Sequence, residues 1–367
     1  MTDLFFYGTL CHLPLLETVL GRAVQTEPAT LPDHEVRWSA DGPWPVIRPA
    51  AGQVATGLRL AGAGAEDMAR LDYYEGGFGY RTQPLTVAGR PALVWLPPEG
   101  AAVAGPWHLA DWVRDWGAIA TATAGDVMAL MGQRPPAEVV RRYPLMLVRG
   151  ASRVRAAAAA PTTLRHAARP GDVVIDRMEQ PHARFFAIES YDLSHRRFDG
   201  GMSPRINREV FVSGDAVTVL PYDPVRDRVL LIEQFRAGPM GRGDPQPWLL
   251  EAIAGRVDPD ESPEQAARRE AVEEAGLHLG ALEPVAGYYP TPGAKSEYLY
   301  SYVALCDLPD DCAGVFGVAG EAEDIRGHLI GFDRLMELVA SGEVANAPLL
   351  VTALWLQRER ARLRGAA

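Results

Sequence analysis

One segment, residues 255–277, constrains the fold of this chain more than any other. It begins as a loop containing Gly, Pro and Asp, and its second half has the signals of a capped helix. Ser262 is a natural N-cap and Pro263 suits the first helical position. Gln265 completes a capping-box pattern, and Gly276 is a residue that ends helices in the left-handed conformation. The pattern therefore predicts a helix that begins at Pro263 and ends just before Gly276.

The predicted helix carries several acids on one side. Glu270 and Glu274 are four residues apart and share a face, and Glu273 lies beside them. Like charges at this spacing repel by about 0.2–0.5 kcal/mol per pair, so a bound cation explains the cluster better than solvent does. Mg²⁺, which prefers a few carboxylates plus substrate phosphate, suits it. Arg269 is placed to pair with Glu273 and hold the array. The alternative is an acidic helix face exposed to solvent.

The same segment matches the Nudix box at every fixed position. The order is Gly, five residues, Glu, seven residues, Arg-Glu, an apolar residue, any residue, Glu-Glu, any residue, Gly and an apolar residue. Ala271 is small where the pattern favours a larger aliphatic side chain. Most of residues 170–360 resembles the ADP-ribose pyrophosphatase branch of the Nudix hydrolases. Four segments carry that narrower resemblance: 230–236, 248–255, 289–297 and 321–326.

This resemblance implies an α/β/α sandwich that hydrolyses a pyrophosphate with the help of about two or three Mg²⁺ ions, or Mn²⁺ in their place. The implied metal ligands are Glu270, Glu274, Glu323 and the main-chain carbonyl of Ala254. The implied catalytic residues are Glu321 as general base, Glu273 near the metal shell and Arg269. For Glu321 and Glu323 the alternative is an ordinary acidic surface loop.

The resemblance also implies substrate contacts outside the box. Arg236 would contact the substrate, although a surface arginine beside Glu233 is an equal alternative. Glu297 belongs to the implied substrate loop, or is a plain surface glutamate. The branch implies a homodimer that exchanges N-terminal strands, in which Arg208 and Glu209 reach the neighbouring adenosine pocket. Asn207 departs from the pattern, since a second basic residue is common there.

The N-terminal half has a second constellation. Tyr7, Gly8, Thr9 and Leu10 form a glycine turn after an apolar strand, and such a turn has N–H groups able to cradle an anion. Glu75 follows in an Asp-Tyr-Tyr-Glu-Gly sequence. Together they resemble the gamma-glutamylcyclotransferase-like (AIG2-like) fold, which implies a small mixed β-barrel with Glu75 as the acid/base. The alternatives are a non-catalytic module, with Tyr7 a core aromatic and Glu75 a turn-capping glutamate.

Length and composition predict two domains. The chain has 367 residues, a length typical of about two domains. We place gamma-glutamylcyclotransferase-like sequence with a helical extension at 1–150 and the Nudix domain at 151–367, near the alanine run 156–160. Within them the patterns predict mixed strands and helices, an α+β or α/β architecture. The predicted elements are strands at 4–7, 54–60, 85–87, 92–96, 173–175, 185–190, 216–222, 229–233, 298–305 and 327–332, and helices at 109–131, 136–142, 263–275, 334–341 and 348–364.

The net charge and the absence of targeting signals limit the classes of binding partner and the cellular compartment that we expect. With 36 Lys plus Arg against 47 Asp plus Glu, the net charge is −11. A nucleic-acid polymer or an anionic membrane needs a basic face, so neither is expected. The three scattered cysteines favour a reducing compartment. The N-terminus lacks a signal-peptide pattern and no apolar run reaches about 18 residues, so we expect a cytoplasmic protein.

The sequence therefore predicts Mg²⁺-dependent hydrolysis of ADP-ribose, or a related nucleoside diphosphate sugar, to AMP and a sugar phosphate. A nucleotide-sensing module without turnover is one alternative. Gamma-glutamyl cyclotransfer by the N-terminal domain as the main activity is another. The fusion of the two domains also resembles bacterial proteins described by tellurite resistance, a phenotype that adds no mechanism.

Overall fold

The chain folds into two units, Met1–Ala167 and Ala168–Ala367. The computed structural model describes residues 2–158, 160–317 and 324–366. Residue 150, where we placed the end of the first domain, lies inside a helix, Tyr143–Ala156, that packs on the core of the first unit. No helix in the described part of the chain has both the length and the apolarity needed to cross a membrane.

In the first unit the strands are β1 (Thr2–Phe6), β2 (Glu27–Ser39), β3 (Pro45–Ala63), β4 (Arg81–Val87), β5 (Arg90–Leu96) and β6 (Val103–Pro106). The helices are α1 (Leu13–Leu20), α2 (Ala65–Gly76), α3 (Leu109–Trp112), α4 (Ala118–Ala129), α5 (Pro136–Val140) and α6 (Tyr143–Ala156). A 3₁₀ turn, Thr9–Cys11, follows β1, and a π-helical stretch, Val113–Gly117, joins α3 to α4. The helical prediction over 109–131 is therefore confirmed in this segmented form.

The six strands of the first unit form one mixed sheet. Their order is β4-β5-β1-β3-β2-β6, with β1 parallel to β5. The order has two different ends, so the predicted small barrel is wrong in one respect: the described strands do not close on themselves. One hydrogen bond, from the Ala88 N–H to the Thr30 carbonyl at 3.0 Å, links the β4–β5 turn to β2. A single bond of this kind does not make a strand ladder.

In the second unit the strands are β7 (Val173–Ala183), β8 (Ala187–His195), β9 (Ile206–Val212), β10 (Ala216–Asp223), β11 (Arg228–Phe235), β12 (Trp248–Glu251), β13 (Ile253–Arg256), β14 (Leu282–Tyr288), β15 (Leu299–Leu305), β16 (Val315–Phe316) and β17 (Ile325–Gly331). The helices are α7 (Ala237–Arg242), α8 (Pro263–Ala275), α9 (Phe332–Ser341) and α10 (Ala347–Gly365). The predicted strand over 185–190 begins later, at Ala187, and leaves Phe185 and Phe186 in the preceding turn.

The central sheet of the second unit is buried on both faces. Its strand order is β14-β15-β10-β11-β17-β16, while β12 and β13 pair with β11 and β10. Successive side chains alternate between the faces: Leu230 packs with the alanines of α8, and Leu231 packs with α9 and α10. This layering confirms the predicted α/β/α sandwich. A separate sheet, β7-β8-β9, precedes it in the chain.

Helix α8 has the caps that the sequence predicts. Ser262 Oγ accepts from the Gln265 N–H at 3.2 Å, and Gln265 Oε1 accepts from the Ser262 N–H at 2.7 Å. Gly276 ends the helix in the left-handed region with φ 62°. Ala266, Ala267, Ala271 and Ala275 are all buried against the sheet. Small alanines, including the Ala271 that departs from the box, bring the helix axis close to the strands and present the glutamates at one edge.

Candidate functional site

The acidic site forms where α8 lies against β13. Glu274 is 2% exposed, and its Oε2 accepts a hydrogen bond from the Ala254 N–H at 3.0 Å. Next to it, the backbone of Gly255 touches the Glu270 side chain so closely that a Cβ would lie 1.7 Å from Glu270 Oε1. Only glycine therefore allows this carboxylate to occupy its position. The sequence-predicted ligands Ala254, Glu270 and Glu274 are thus brought together.

A single guanidinium holds the surrounding acids. Arg269 Nη1 lies 2.7 Å from Glu270 Oε1 and 3.0 Å from Glu273 Oε2. Its Nη2 lies 2.7 Å from Glu261 Oε1 and also donates to the Arg256 carbonyl at 3.0 Å. The hydrogen bond to Glu261, with the nearby charge of Glu270, raises the pKa of Arg269 above its ordinary value. The predicted Arg269–Glu273 pair is present, as one arm of a larger network.

Arg236 lines the same cleft, and its ion-pair partner is a buried glutamate that the sequence analysis did not consider. Its Nη2 donates to Oε2 of Glu251 at 2.6 Å, and Glu251 is 4% exposed. Asn346 Nδ2 also donates to Glu251, at 3.0 Å. Glu233, the neighbour named in the surface-arginine alternative, accepts from His328 Nε2 at 2.8 Å. Glu251 therefore orients Arg236 along the cleft wall.

Glu297 also lines the cleft, where its Oε1 accepts from Lys295 Nζ at 2.8 Å. Sequence reasoning missed the aromatic part of this wall. Phe185 and Phe186 contact each other at 4.8 Å between ring centroids, and the Arg256 guanidinium stacks 4.4 Å above Phe185. An adjacent Phe-Phe pair just before a strand was the available signal. Such a pair is equally typical of a buried strand, and we included both residues in the predicted strand 185–190.

Two predicted site residues do not line this cleft, and two others lie outside the described residues. Arg208 and Glu209 are exposed on β9 of the separate three-stranded sheet and do not line the cleft of their own chain. Glu321 and Glu323 lie outside the described residues. Their assigned roles stay predictions.

The ligand atoms that the described residues offer are of the type that binds a hard divalent cation. They are carboxylate and carbonyl oxygens, the ligands that Mg²⁺ and Mn²⁺ prefer. The close approach of Gly255 to Glu270 fixes one of these oxygens beside the Glu274–Ala254 contact. Across the described ranges, no three His, Cys, Asp or Glu side chains converge closely enough to hold a metal by themselves. The described set therefore suits a site completed by further oxygen ligands.

A second cluster of candidate site residues lies in the first unit. Tyr7, Gly8, Thr9 and Leu10 line one pocket, and Glu75 of α2 lines it too. A Cβ on Gly8 would lie 2.5 Å from Pro45 Cγ, so the turn requires glycine for its close approach to β3. Residues about 65 positions apart in sequence are thus brought together, as the resemblance implied. Tyr7 is also a core aromatic, since it is buried and its hydroxyl donates to the Trp95 carbonyl at 2.8 Å.

Glu75 sits in apolar surroundings. It belongs to the last turn of α2, and it lines a pocket whose other ionisable side chains are tyrosines. Desolvation raises the pKa of Glu75 to about 7. Within the described part of the chain its carboxylate accepts no hydrogen bond and forms no ion pair. The turn-capping alternative for Glu75 is therefore not what holds it.

The family comparisons agree with these two sites. A model of the NUDIX domain matches residues 212–347. A model described as gamma-glutamyl cyclotransferase, AIG2-like, matches residues 4–114. The first match contains the acidic cleft of α8 and β13, and the second contains the Tyr7 turn and Glu75.

Curated relatives match the second half. The chain is 39% identical over 193 residues to the ADP-ribose pyrophosphatase of Escherichia coli K12, covering 53% of this chain and 91% of that protein. The Haemophilus influenzae ADP-ribose pyrophosphatase is 34% identical, with 49% of this chain and 83% of that protein covered. The GDP-mannose pyrophosphatase of Enterobacter sp. strain 638 is 33% identical, with 46% and 85% covered. The chain is therefore a member of the Nudix family, an enzyme of the Nudix hydrolase class, and it carries an AIG2-like domain in addition.

Proposed function

We propose that the second unit hydrolyses the pyrophosphate bond of a nucleoside diphosphate sugar, with ADP-ribose as the first substrate to test. Water attacks one phosphorus atom and the bridging P–O bond breaks, which releases AMP and a sugar phosphate from ADP-ribose. The names of the E. coli and Enterobacter relatives support this class of substrate, since one cleaves an ADP-sugar and the other a GDP-sugar. We also propose that turnover requires Mg²⁺, for which Mn²⁺ substitutes.

The observation that carries the proposal is the fixed approach of Glu270 and Glu274 to the Ala254–Gly255 backbone. Two glutamates four residues apart on one helix face repel each other, and a bound cation offsets that repulsion. Arg269 offsets part of that cost from one side. The remaining negative charge faces a cleft whose other walls carry Arg236, Lys295 and Arg256, which suit a polyanionic substrate.

The chain's own residues have separable roles in this proposal. Arg236, held by buried Glu251, orients a phosphate, and Lys295, paired with Glu297, lines the same cleft. Arg269 keeps Glu270 and Glu273 in fixed rotamers, so they need not reorganise during the reaction. Bound Mg²⁺ would supply charge neutralisation of the diphosphate. We assign the proton acceptor for the attacking water to Glu321 and a further metal contact to Glu323, by resemblance.

The test is a turnover screen with the full chain. ADP-ribose, GDP-mannose and other nucleoside diphosphate sugars are incubated with Mg²⁺, and phosphate is measured after coupling to a phosphatase. We expect release from at least one compound and loss of release when EDTA is added. A protein that binds ADP-ribose in calorimetry but turns over none of the compounds would instead be a nucleotide sensor.

We further propose a homodimer in which β9 supplies Arg208 and Glu209 to the cleft of a second copy. The support is their exposure, because both side chains are free to reach beyond their own chain. Mixing an inactive Glu274→Gln chain with an inactive Arg208→Ala chain tests this. Recovered hydrolysis in the mixture supports sharing, and a monomer in light scattering refutes it.

A second candidate function for the first unit is gamma-glutamyl cyclotransfer. It is favoured by the meeting of the Tyr7–Leu10 turn with Glu75, whose raised pKa suits an acid/base near neutral pH. Glu75→Gln and Glu274→Gln, made separately, distinguish the two activities. We expect Glu274→Gln alone to remove ADP-ribose hydrolysis. Loss of that hydrolysis in Glu75→Gln, with retention in Glu274→Gln, would overturn our assignment.

A further inference from the structure

The cationic side chains that line the acidic cleft of the second unit differ in what holds them. Among the described residues they are Arg236, Arg256, Arg269 and Lys295. One glutamate pairs with Arg236 at 2.6 Å and another pairs with Lys295 at 2.8 Å, while three surround Arg269. Within the described part of the chain, Arg256 alone of the four forms no ion pair and donates no hydrogen bond from its guanidinium.

An aromatic ring, rather than an acid, holds the Arg256 side chain. Its guanidinium carbon lies 4.4 Å from the centroid of the Phe185 ring. That ring contacts Phe186, which in turn contacts Phe211 at 4.6 Å between centroids, so it belongs to a row of three rings. At the main chain, the Arg256 carbonyl accepts from Arg269 Nη2 at 3.0 Å. Both ends of this residue are therefore supported.

Stacking uses the face of the guanidinium and leaves its edge free. The N–H donors of an arginine point outward in the plane of the group, in a fork that matches two oxygens of a phosphate. Arg256 is half-buried, and no ion pair joins it to Asp258, the acid that lines the cleft two residues further on. The edge of this guanidinium is therefore available to an anion that enters the cleft.

The strand that carries Arg256 also carries the candidate metal site. Ala254 and Gly255 come directly before Arg256 on β13, where they contact Glu274 and Glu270. Successive residues of a strand are about 3.3 Å apart, so a diphosphate bound at that backbone lies within the length of an arginine side chain. Because glutamates already pair with the other cleft cations, Arg256 offers a phosphate a positive charge that no described carboxylate has to release.

We infer that Arg256 binds a phosphate of the substrate's diphosphate through the edge of its guanidinium, while Phe185 keeps the guanidinium plane in place. This inference rests on the proposed function, because it takes a nucleoside diphosphate compound as the ligand of the cleft. Arg256 differs in role from Arg269, which holds the glutamates of the metal site. Its loss should therefore lower the affinity for phosphate and leave those glutamates in position.

Isothermal titration calorimetry of the full chain with Mg²⁺ tests the inference. The ligand is adenosine 5′-(α,β-methylene)diphosphate, whose P–C–P bridge resists hydrolysis, and adenosine is the comparison without phosphate. Arg256→Met should weaken binding of the diphosphate about 10- to 100-fold and leave the affinity for adenosine unchanged, because it removes charge-assisted hydrogen bonds to phosphate alone. Arg256→Lys keeps the charge but not the planar fork, so it should weaken diphosphate binding about threefold to tenfold.

The matched control is Arg358→Met, which removes another arginine that stacks on an aromatic ring. Arg358 lies 6.0 Å from the centroid of Trp355 on α10 and is outside the cleft lining, so both affinities should stay unchanged. Arg256→Lys decides the question if Arg256→Met does not fold, as judged by circular dichroism.

Unchanged affinity of the Arg256 variants for the diphosphate would overturn the inference, as would undetectable binding of the diphosphate to the unchanged protein. An equal loss of affinity for adenosine would also overturn it, because Arg256 would then act on the nucleoside. Failure of the proposed function gives a different result: the diphosphate binds in a manner that depends on Arg256, and no nucleoside diphosphate sugar is turned over.

Discussion

The two carboxylate sites of this protein hold their acids in opposite surroundings. In the second unit, Glu270 and Glu273 share the guanidinium of Arg269, and Glu274 accepts a backbone N–H. In the first unit, Glu75 stands among aromatic rings, and burial raises its pKa to about 7. One site keeps several negative charges close together, which suits metal cations. The other makes a single negative charge costly, which favours the protonated form of its carboxyl group.

The comparison teaches that the count of acids does not define a site. The neighbours of each carboxylate decide whether it stays ionised, and therefore what it is able to bind or transfer. Each of the following predictions changes one of those neighbours or one of the acids.

The largest effect is expected for Glu274→Gln. The amide keeps the shape but removes the buried charge next to Ala254, so we expect hydrolysis to fall about 100- to 1000-fold. The measurement is kcat for ADP-ribose with saturating Mg²⁺. Glu337→Gln, which removes an exposed charge on α9, is the control and should retain full activity. Equal activity of the two variants would contradict the proposed site.

The second largest loss of activity is expected for Gly255→Ala. Its new methyl group would require the Glu270 carboxylate to move away from a position 1.7 Å distant, and a shift of this size costs about 100-fold in rate. The assay is the same, with circular dichroism to show that the fold is kept. Gly241→Ala is a matched control, because a Cβ there meets nothing within 4 Å. Full activity in Gly255→Ala would show that the place of Glu270 is unimportant.

Arg269→Met should expose the repulsion that the guanidinium now offsets. We expect the second unit to lose about 1–3 kcal/mol of stability, because Glu261, Glu270 and Glu273 lose a charged donor. Added Mg²⁺ should raise the midpoint of thermal unfolding more in this variant than in the unchanged protein. Arg334→Met, on an exposed helix face, is the control. An identical rise in the unfolding midpoint with Mg²⁺ in all three proteins would show that the cation does not bind at these acids.

The smallest effect is expected for the pH dependence due to Glu75. Its folded pKa, about 7, lies above the ordinary glutamate pKa of 4.5, so the folded state holds the proton more tightly than the unfolded chain. The contribution of Glu75 to the stability of the first unit should therefore be greatest below about pH 4.5, fall as the pH rises to about 7 and then level off, with a total change of about 1–3 kcal/mol. Six of the eight tryptophans lie in the first unit, so their fluorescence follows its unfolding.

Glu75→Gln should remove this slope, while Asp72→Asn should preserve it. If the slope persists without Glu75, another group is responsible and the apolar environment of Glu75 has less effect than we argue.

Local signals were enough to predict several elements in detail. The Ser262 cap and the Gly276 stop were read from the sequence because caps depend on residues within one turn of each other. Helices α1, α2, α6 and α7 were not predicted. Helix α2 has little apolar periodicity, and its stability comes from packing of Leu71 and its tyrosine neighbours on the core.

The chain by itself determined its family, the spacing of Glu270 and Glu274, and the pairing of the Tyr7 turn with Glu75, because each depends on residue identity at fixed spacing. Tertiary structure alone decided the partner of Arg236, the open edge of the first sheet and the aromatic wall around Glu75. These features join residues from distant strands and helices, such as Trp44, Phe78 and Tyr143, whose proximity no local pattern records. Chain folding brings them together, and burial there sets the charge that Glu75 is able to carry.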